Sequence, residues 1–171
     1  MTVLAGVLMA VASPATTHAQ TPQDGNPTPS RIFSTNAIKN VKSGKFLQPV
    51  SSSNGAKVVQ QAASDSLLQR WDSFLTEAGT YTTFENYSSG LNLGITGGST
   101  AAGAAAITAT GSSDLNQDWT KNFGSNGDYF TLKNRKSGLC LGISGASTAN
   151  GAQAAQFACD GTANQRWTLA D

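Results

Sequence analysis

Gln69-Arg70-Trp71, Gln117-Asp118-Trp119 and Gln165-Arg166-Trp167 decide the fold of this chain. The three Gln-x-Trp triplets are 48 residues apart and contain every tryptophan of the 171-residue sequence. Recurrence at a fixed period indicates that one supersecondary unit is used several times, and such units bury their apolar side chains only by packing on one another. The sequence therefore predicts a single domain built from three associated copies of one unit.

The residues around each triplet repeat with it. Each copy has a strand-like run that ends in asparagine, then a Ser-Gly turn, then a Ser/Gly-rich loop that closes on a glycine. The asparagines are Asn40, Asn86 and Asn134, the turns are Ser43-Gly44, Ser89-Gly90 and Ser137-Gly138, and the closing glycines are Gly55, Gly103 and Gly151. From the closing glycine to the triplet glutamine there are 14 residues in every copy. We assign the copies to residues 31–78, 79–126 and 127–171.

The segments between these markers have the character of short strands. In the third copy, four runs bounded by Gly, Ser and Asn clusters predict strands at Tyr129–Lys133, Leu139–Ile143, Ala152–Phe157 and Arg166–Leu169. The other copies have the same pattern, so we expect an all-β fold of about twelve short strands with pseudo-threefold symmetry, closed to remove free sheet edges. The core is predicted to contain Trp71, Trp119 and Trp167, together with Phe74, Phe123 and Leu169.

The N-terminal segment has the pattern of a signal peptide at residues 1–19. Val3–Ala12 is apolar but too short to cross a bilayer, and Thr17-His18-Ala19 is a small-x-small cleavage pattern with Gln20 as the mature start. Residues 20–30 contain three prolines and predict an extended linker. We therefore expect a secreted, extracellular protein with no membrane segment after signal removal; an N-terminal membrane anchor is the alternative.

The two cysteines, Cys140 and Cys159, both lie in the third copy and are 19 positions apart. In an exported protein such a pair is expected to form a disulfide. Closing a loop of ~20 residues would stabilise the fold by about 3 kcal/mol. The corresponding pairs in the other copies are Phe46 with Ala63 and Asn92 with Gly111. There, a large side chain opposite a small one is predicted to fill the space that the disulfide spans.

Charge and residue usage disfavour several functions. Eleven basic and ten acidic residues are scattered without a long basic run, so nucleic acid is not an expected partner. The only histidine, His18, lies in the predicted signal peptide, which leaves no imidazole for a nucleophile pair or a zinc site. Asp65, Asp114 and Asp160 fall at near-equivalent positions of different copies, too far apart for a glycosidase pair. We expect no catalytic activity, no metal and no cofactor.

The third copy contains residues suited to holding a sugar. Phe157 lies two positions before Cys159, and Asp160 and Asn164-Gln165 follow closely. Ligand sites join an apolar platform to a few directed polar groups, which these side chains supply. The aromatic position is Gln61 in the first copy and Ala109 in the second. Two structural interpretations stay open: Phe157 packs in the core or against the disulfide, and the triplet glutamines satisfy backbone groups in a turn.

These features together resemble the ricin B-type lectin family, β-trefoil domains marked by three Gln-x-Trp triplets. The resemblance covers residues 31–171 and is strongest in residues 137–143, 150–152 and 159–167. It implies a six-stranded barrel capped by a triplet of hairpins, with one shallow sugar site per repeat.

The resemblance also implies which residues would contact a sugar. Family sites use an aspartate directly after the Cys-Leu pair, an aromatic residue two positions before the second cysteine, and the Asn-Gln of the triplet. Phe157, Asn164 and Gln165 match, whereas the aspartate is replaced by Gln48, Gly94 and Gly142 in the three copies. Loss of a charge-assisted hydrogen bond costs ~1.5–3 kcal/mol, or about one to two decades of affinity. Asp160 is the candidate substitute acceptor.

The sequence thus predicts an exported lectin-like module that binds a glycan or polysaccharide weakly through its third repeat. The alternative is a protein-binding β-trefoil, such as a protease inhibitor or host-interaction factor. Its contacts would come from the loops Ser51–Gly55, Thr96–Gly103 and Ser144–Gly151, which lack the aromatic and arginine anchors typical of protein interfaces. The identity of the glycan, the oligomeric state and a separate enzyme or toxin chain as partner are left open.

Overall fold

The computed structural model describes the backbone of residues 30–171 and the side chains from Thr35 onward. The predicted signal peptide and the predicted linker up to residue 29 lie outside the described residues.

Twelve short strands make up the described part of the chain, which confirms the expected all-β fold. The strands are β1 (Ser30–Asn40), β2 (Phe46–Pro49), β3 (Val58–Gln61), β4 (Arg70–Thr76), β5 (Tyr81–Asn86), β6 (Asn92–Ile95), β7 (Ala106–Ala109), β8 (Trp119–Phe123), β9 (Phe130–Asn134), β10 (Cys140–Ile143), β11 (Ala154–Phe157) and β12 (Trp167–Ala170). Single 3₁₀ turns lie at Leu67–Gln69, Glu77–Gly79, Thr96–Gly98, Leu115–Gln117, Ser144–Ala146 and Ala163–Gln165. Within residues 30–171, no helix has the length and apolar character needed to span a bilayer.

The strand pairing closes a six-stranded barrel. Following the hydrogen-bonded neighbours, β1 pairs with β4, β4 with β5, β5 with β8, β8 with β9, β9 with β12, and β12 returns to β1. The remaining strands form three hairpins, β2–β3, β6–β7 and β10–β11, one from each copy. All of these pairings are antiparallel. The architecture is the β-trefoil expected from the three triplets.

The three tryptophans occupy the centre of the core. Each is at most 1% exposed. Each indole N–H donates to the backbone carbonyl of a buried leucine in the first hairpin strand of the same copy. The acceptors are Leu47, Leu93 and Leu141, at 3.0, 3.0 and 3.1 Å. A buried indole N–H needs such a partner, so this bond also fixes the position of the hairpin relative to the barrel.

The core prediction is wrong for two of the residues that follow the tryptophans. Phe123 is 67% exposed and Leu169 is 40% exposed, whereas Phe74 is half-buried. The barrel strands run past the layer of packed side chains, so residues beyond the tryptophan reach the open end of the barrel. There Phe123 makes only an edge contact with Phe130, with ring centroids 6.0 Å apart.

A buried asparagine at the end of the first strand of each copy joins that copy to the preceding one. Its amide N–H groups donate to a carbonyl in the preceding 3₁₀ turn: Asn86 to Leu68 at 2.8 Å, Asn134 to Asn116 at 2.8 Å, and Asn40 to Asn164 at 3.0 Å. The last of these bonds joins the first copy to the third. The ring of copies is therefore closed by the same contact at all three junctions.

The hairpins are tied to one another by a second threefold set of bonds. The N–H of each closing glycine donates to a carbonyl of a neighbouring hairpin, at 2.7–2.8 Å; the pairs are Gly55 with Thr108, Gly103 with Gln156, and Gly151 with Gln60. The amide of Gln60 also donates to the carbonyls of Ser147 and Ala149, and that of Gln156 donates to those of Ser99 and Ala101. Each glutamine thus holds a complete loop of the neighbouring copy.

The second copy has Thr108 in place of this glutamine. The Thr108 hydroxyl is the only buried side-chain polar atom of the described residues without a hydrogen-bond partner. Its side chain is too short to reach the carbonyls of Ser51 and Ser53, which correspond to the carbonyls that the glutamines hold in the other loops. The loop of the first copy therefore lacks a side-chain support that both other loops possess.

We expect Thr108→Gln to raise the free energy of unfolding by about 1–2 kcal/mol, because the new amide would supply the missing hydrogen bonds and remove an unpaired buried hydroxyl. Chemical denaturation followed by tryptophan fluorescence measures the change. The matched control, Gln156→Thr, should lower stability by about 1–3 kcal/mol. A Thr108→Gln protein that is no more stable than the parent would contradict the interpretation that the loop of the first copy lacks a side-chain support.

Candidate functional site

The predicted sugar site lies on the outer face of the β10–β11 hairpin. The register places Cys140 opposite Phe157 and Gly142 opposite Ala155. Because side chains alternate along a strand, these residues share the face directed away from the core, while Leu141 and Ile143 point into the core and are buried. The segment from Ala158 to Gln165 folds back over this outer face. The site is therefore a shallow surface between one hairpin and the loop that precedes Trp167.

A disulfide fastens the start of this loop to the hairpin. Cys140 and Cys159 are bonded, with an S–S distance of 2.03 Å and a Cα–Cα distance of 5.0 Å, which confirms the predicted pair. Phe157 lies directly opposite Cys140 and is half-buried beside the bridge. In the second copy, Asn92 fills the equivalent space: a Cβ atom built on Gly111 would lie 3.2 Å from the Asn92 amide nitrogen.

Gln165 supports the loop from within. It is 2% exposed, its amide nitrogen donates to the Ala158 carbonyl at 2.8 Å, and its oxygen accepts from the Asp160 N–H at 3.2 Å. Gln69 and Gln117 make the same two kinds of bond in their own copies. Both ends of each amide are engaged by the backbone, as the structural interpretation of the triplet glutamines requires.

Asp160 presents a carboxylate at the surface. One of its oxygens, Oδ1, accepts from the backbone N–H of Thr162 at 2.9 Å and from its hydroxyl at 2.7 Å. These bonds, the N–H bond foremost, hold the pKa of Asp160 below its ordinary value of 3.8. The other oxygen, Oδ2, forms no hydrogen bond with the described residues, so it is available to accept from a ligand hydroxyl.

Asn164 is linked to Asp160 through Thr162. The Thr162 hydroxyl lies 2.6 Å from the Asn164 side-chain amide as well as 2.7 Å from Asp160. A hydroxyl has one hydrogen, so Thr162 donates either to Oδ1 of Asp160 or to Oδ1 of Asn164. The Asn164 amide nitrogen lies toward β10, 3.4 Å from a Cβ atom built on Gly142, whereas in the second copy the Asn116 oxygen lies toward β6 and accepts from the Ile95 N–H at 3.0 Å.

Thr162 is the one member of this arrangement that the sequence analysis did not identify. Its counterparts, Ser66 and Asp114, cap their 3₁₀ turns by accepting from the N–H two residues ahead. Thr162 makes no such capping bond and orders Asp160 and Asn164 instead. The only signal in the sequence is a hydroxyl between two polar residues, which is too common to point to this role.

The place of the family aspartate is filled by the chain itself. A Cβ atom on Gly142 would lie 3.0 Å from Cγ of Gln165 and 3.4 Å from the Asn164 amide. Gly94 is more crowded, with Asn116 at 2.8 Å and Gln117 at 3.0 Å. In the first copy, Gln48 accepts from the Gln69 amide at 2.9 Å. A side chain at Gly94 or Gly142 would therefore crowd the triplet segment, and in the first copy the Gln48 side chain at this position is engaged by the triplet.

Comparison with known proteins agrees with the fold. The family model described as "Ricin-type beta-trefoil lectin domain-like" matches residues 32–109 and 115–171. The chain therefore belongs to this family. A search of curated proteins finds no match.

Three solved structures illustrate the range of similar proteins. The designed threefold-symmetric protein ThreeFoil is 32% identical, with a TM-score of 0.76 over 80% of this chain and 98% of its own. An exo-β-1,3-galactanase from Clostridium thermocellum is 28% identical, with a TM-score of 0.76 over 82% of this chain but 31% of its own. A ricin B-like lectin from Macrolepiota procera, in complex with lactose, is 22% identical, with a TM-score of 0.69 over 80% of this chain and 94% of its own. At that identity the lectin shows a shared fold only.

Within residues 30–171, no group of three His, Cys, Asp or Glu side chains is placed to hold a metal ion. The three acidic side chains considered for catalysis lie in separate copies. Asp114 is engaged with Lys136 at 3.1 Å, and Asp160 with Thr162. The site thus contains one aromatic ring and one carboxylate oxygen that forms no hydrogen bond with the described residues.

Introducing the family aspartate should weaken the fold rather than create a sugar site. We expect Gly142→Asp and Gly142→Ala each to lower the free energy of unfolding by about 1–3 kcal/mol, because the added Cβ crowds the buried Gln165 side chain. Denaturant titration of both variants separates crowding from charge, since crowding alone predicts similar losses. A Gly142→Asp protein with parental stability and newly acquired galactose affinity would show that the position is open.

Proposed function

We propose that this protein is a secreted carbohydrate-binding module that binds glycans weakly through its third repeat and does not cleave them. The observation that supports the proposal is that Phe157 pairs with Cys140, whose disulfide partner directly precedes Asp160, and that Thr162 contacts both Asp160 and Asn164. An aromatic ring offers an apolar platform for the C–H face of a sugar, and the carboxylate and amide offer directed polar groups.

The other two copies lack this combination. The aromatic position is Gln61 or Ala109, and the position of Asp160 is Ser64 or Ser112, whose backbone N–H bonds to the triplet glutamine as that of Asp160 does. Asn116 is buried and committed to the Ile95 backbone, and the first copy has Leu68 there. Binding through the third repeat alone is therefore the proposal that fits the side chains.

Low affinity follows from the crowded aspartate position. The site has one free carboxylate oxygen on an exposed loop instead of a carboxylate on the hairpin, so we expect about one to two decades less affinity than a site with both. The bond between Cys140 and Cys159 fits an oxidising, extracellular setting. The lactose complex of the M. procera lectin shows that a relative with this fold binds a sugar, and it makes galactosides the first ligands to test.

The test for the aromatic platform is Phe157→Ala. We expect this variant to lose at least about tenfold in affinity for whichever oligosaccharide a glycan array identifies, because a partly buried aromatic face contributes ~1.5 kcal/mol. Isothermal titration calorimetry measures the change. Gln61→Ala, at the equivalent position of the first copy, is the matched control and should bind like the parent. If Phe157→Ala binds the oligosaccharide as tightly as the parent, Phe157 is not part of the site. If the parent binds no glycan, the protein-binding alternative is favoured.

The role of Asp160 has a pH signature. Because its pKa lies below 3.8, the carboxylate stays ionised and glycan affinity should hold down to about pH 4 before it declines. Asp160→Asn should bind about tenfold more weakly. The ratio of the parent affinity to the Asp160→Asn affinity should shrink below that pH, because protonation removes the charge of Asp160 in the parent. A ratio that stays constant across the titration would show that the charge of Asp160 takes no part in binding.

A further inference from the structure

A second candidate site lies where the first copy meets the second. Thr35, Leu67, Arg70 and Tyr87 line an open groove of about 330 Å³, which we name the junction groove. Leu67 and Tyr87 are each 54% exposed, although both are large and apolar. The groove includes Leu67 of the 3₁₀ turn of the first copy, whereas the candidate sugar site includes Asn164 of the corresponding turn of the third copy.

Equivalent positions form the three junctions between copies, so the side chains at these positions can be compared directly. At each junction, the residue after the asparagine that recurs in every copy donates its N–H to the carbonyl of the middle residue of the preceding triplet. The pairs are Tyr87 with Arg70, Arg135 with Asp118, and Val41 with Arg166, all at 2.9 Å. The position five residues before the asparagine is Thr35, Tyr81 or Tyr129.

Each of the other two junctions also contains an arginine, Arg166 at the position of Arg70 and Arg135 at the position of Tyr87, and both have partners within the chain. Arg135 stacks on Tyr81 at 4.2 Å and forms ion pairs with Asp118 at 3.0 Å and Glu77 at 2.5 Å. Arg166 stacks on Tyr129 at 4.4 Å and donates to the Gly161 carbonyl at 2.6 Å. In both cases a ring lies beneath the guanidinium, and a negative or carbonyl oxygen lies at its edge.

Arg70 has neither partner. Thr35 replaces the tyrosine, and the Arg70 side chain forms no hydrogen bond, ion pair or ring contact with the described residues. The nearby carboxylate of Asp72 accepts from the Thr35 hydroxyl at 2.5 Å instead. The groove therefore contains a half-buried cation that has no carboxylate partner among the described residues, beside a tyrosine that is 54% exposed.

We infer that the junction groove binds the carboxylate of an acidic sugar, a uronic acid residue within a glycan. Arg70 would hold the carboxylate, since its planar guanidinium suits bidentate pairing. Tyr87 and Leu67 would contact the C–H face of the ring, and Asp72 and Thr35 would accept hydroxyl hydrogens. The inference rests on the proposed glycan-binding function and adds a ligand class and a second site to it.

The size of the groove favours a sugar over a protein partner. Stable protein interfaces bury about 800 Å² on each side, whereas four of the described residues line this groove. Its volume is at the lower end of the ~300–1,000 Å³ typical of small-ligand sites. A charged group, an aromatic face and adjacent hydroxyl acceptors in so small a space suit a single acidic ring.

Titration calorimetry of the full chain with trigalacturonate tests the inference, and the carboxyl-reduced trimer serves as the neutral probe. We expect trigalacturonate to bind and the reduced trimer to bind at least about tenfold more weakly. Arg70→Gln should weaken trigalacturonate binding by about ten- to a hundredfold, and Tyr87→Ala by about tenfold. Added salt should weaken the parent interaction, because the groove is open to solvent.

Two controls separate this site from the one in the third repeat. Arg166→Gln removes the equivalent, internally satisfied arginine and should leave trigalacturonate binding unchanged, as should Phe157→Ala. Neutral glycan binding that depends on Phe157 should in turn survive Arg70→Gln, so each site can fail on its own. The inference is overturned if trigalacturonate does not bind, or if the two trimers bind equally. It is also overturned if a folded Arg70→Gln protein binds trigalacturonate as well as the parent does, or if a peptide with a free terminal carboxylate displaces the trimer.

Discussion

The hydrogen bond from each triplet tryptophan to its own hairpin is the contact on which the rest of the molecule depends. The indole enters the core and donates to a leucine carbonyl of the hairpin from the inner side. Two residues before the tryptophan, the glutamine of the same triplet lies against the outer side of that hairpin, with its Cγ close to Gly94 or Gly142 in the second and third copies. The triplet thus holds the hairpin from both faces, which explains why glutamine and tryptophan recur together.

This arrangement determines where a ligand can be held. Because the triplet segment must cross the outer face of the hairpin, the residues just before it, from Ala158 to Asn164, form one wall of a surface cleft in the third copy. The triplet segment crosses the hairpin in every copy, and the side chains at this shallow surface differ between copies. In the second copy Asn116 seals it against the backbone, and in the first copy Gln48 and Gln69 seal it by bonding to each other.

Much of the fold was predictable because its determinants are periodic. The triplets, the turn asparagines and the closing glycines repeat in register, so copy number, strand number and the tryptophan core follow from the sequence. The exposure of Phe123 and Leu169 did not follow, because strand alternation indicates a face but not where a barrel opens to solvent. The partnership of Asp160, Thr162 and Asn164 depends on loop geometry. The junction groove depends on Thr35 and Tyr87 from different copies, which the β1–β4 and β4–β5 pairings bring together.

The single disulfide has a consequence for how the molecule responds to reductants. Cys140 and Cys159 lie in the same copy, whereas the copies are joined to one another by the buried asparagines and by barrel pairing, neither of which contains sulfur. Thiol reagents would consequently loosen the loop behind Phe157 while the barrel stays assembled. Ligand affinity would then respond to the redox state of the surroundings at concentrations of reductant that leave the global structure intact.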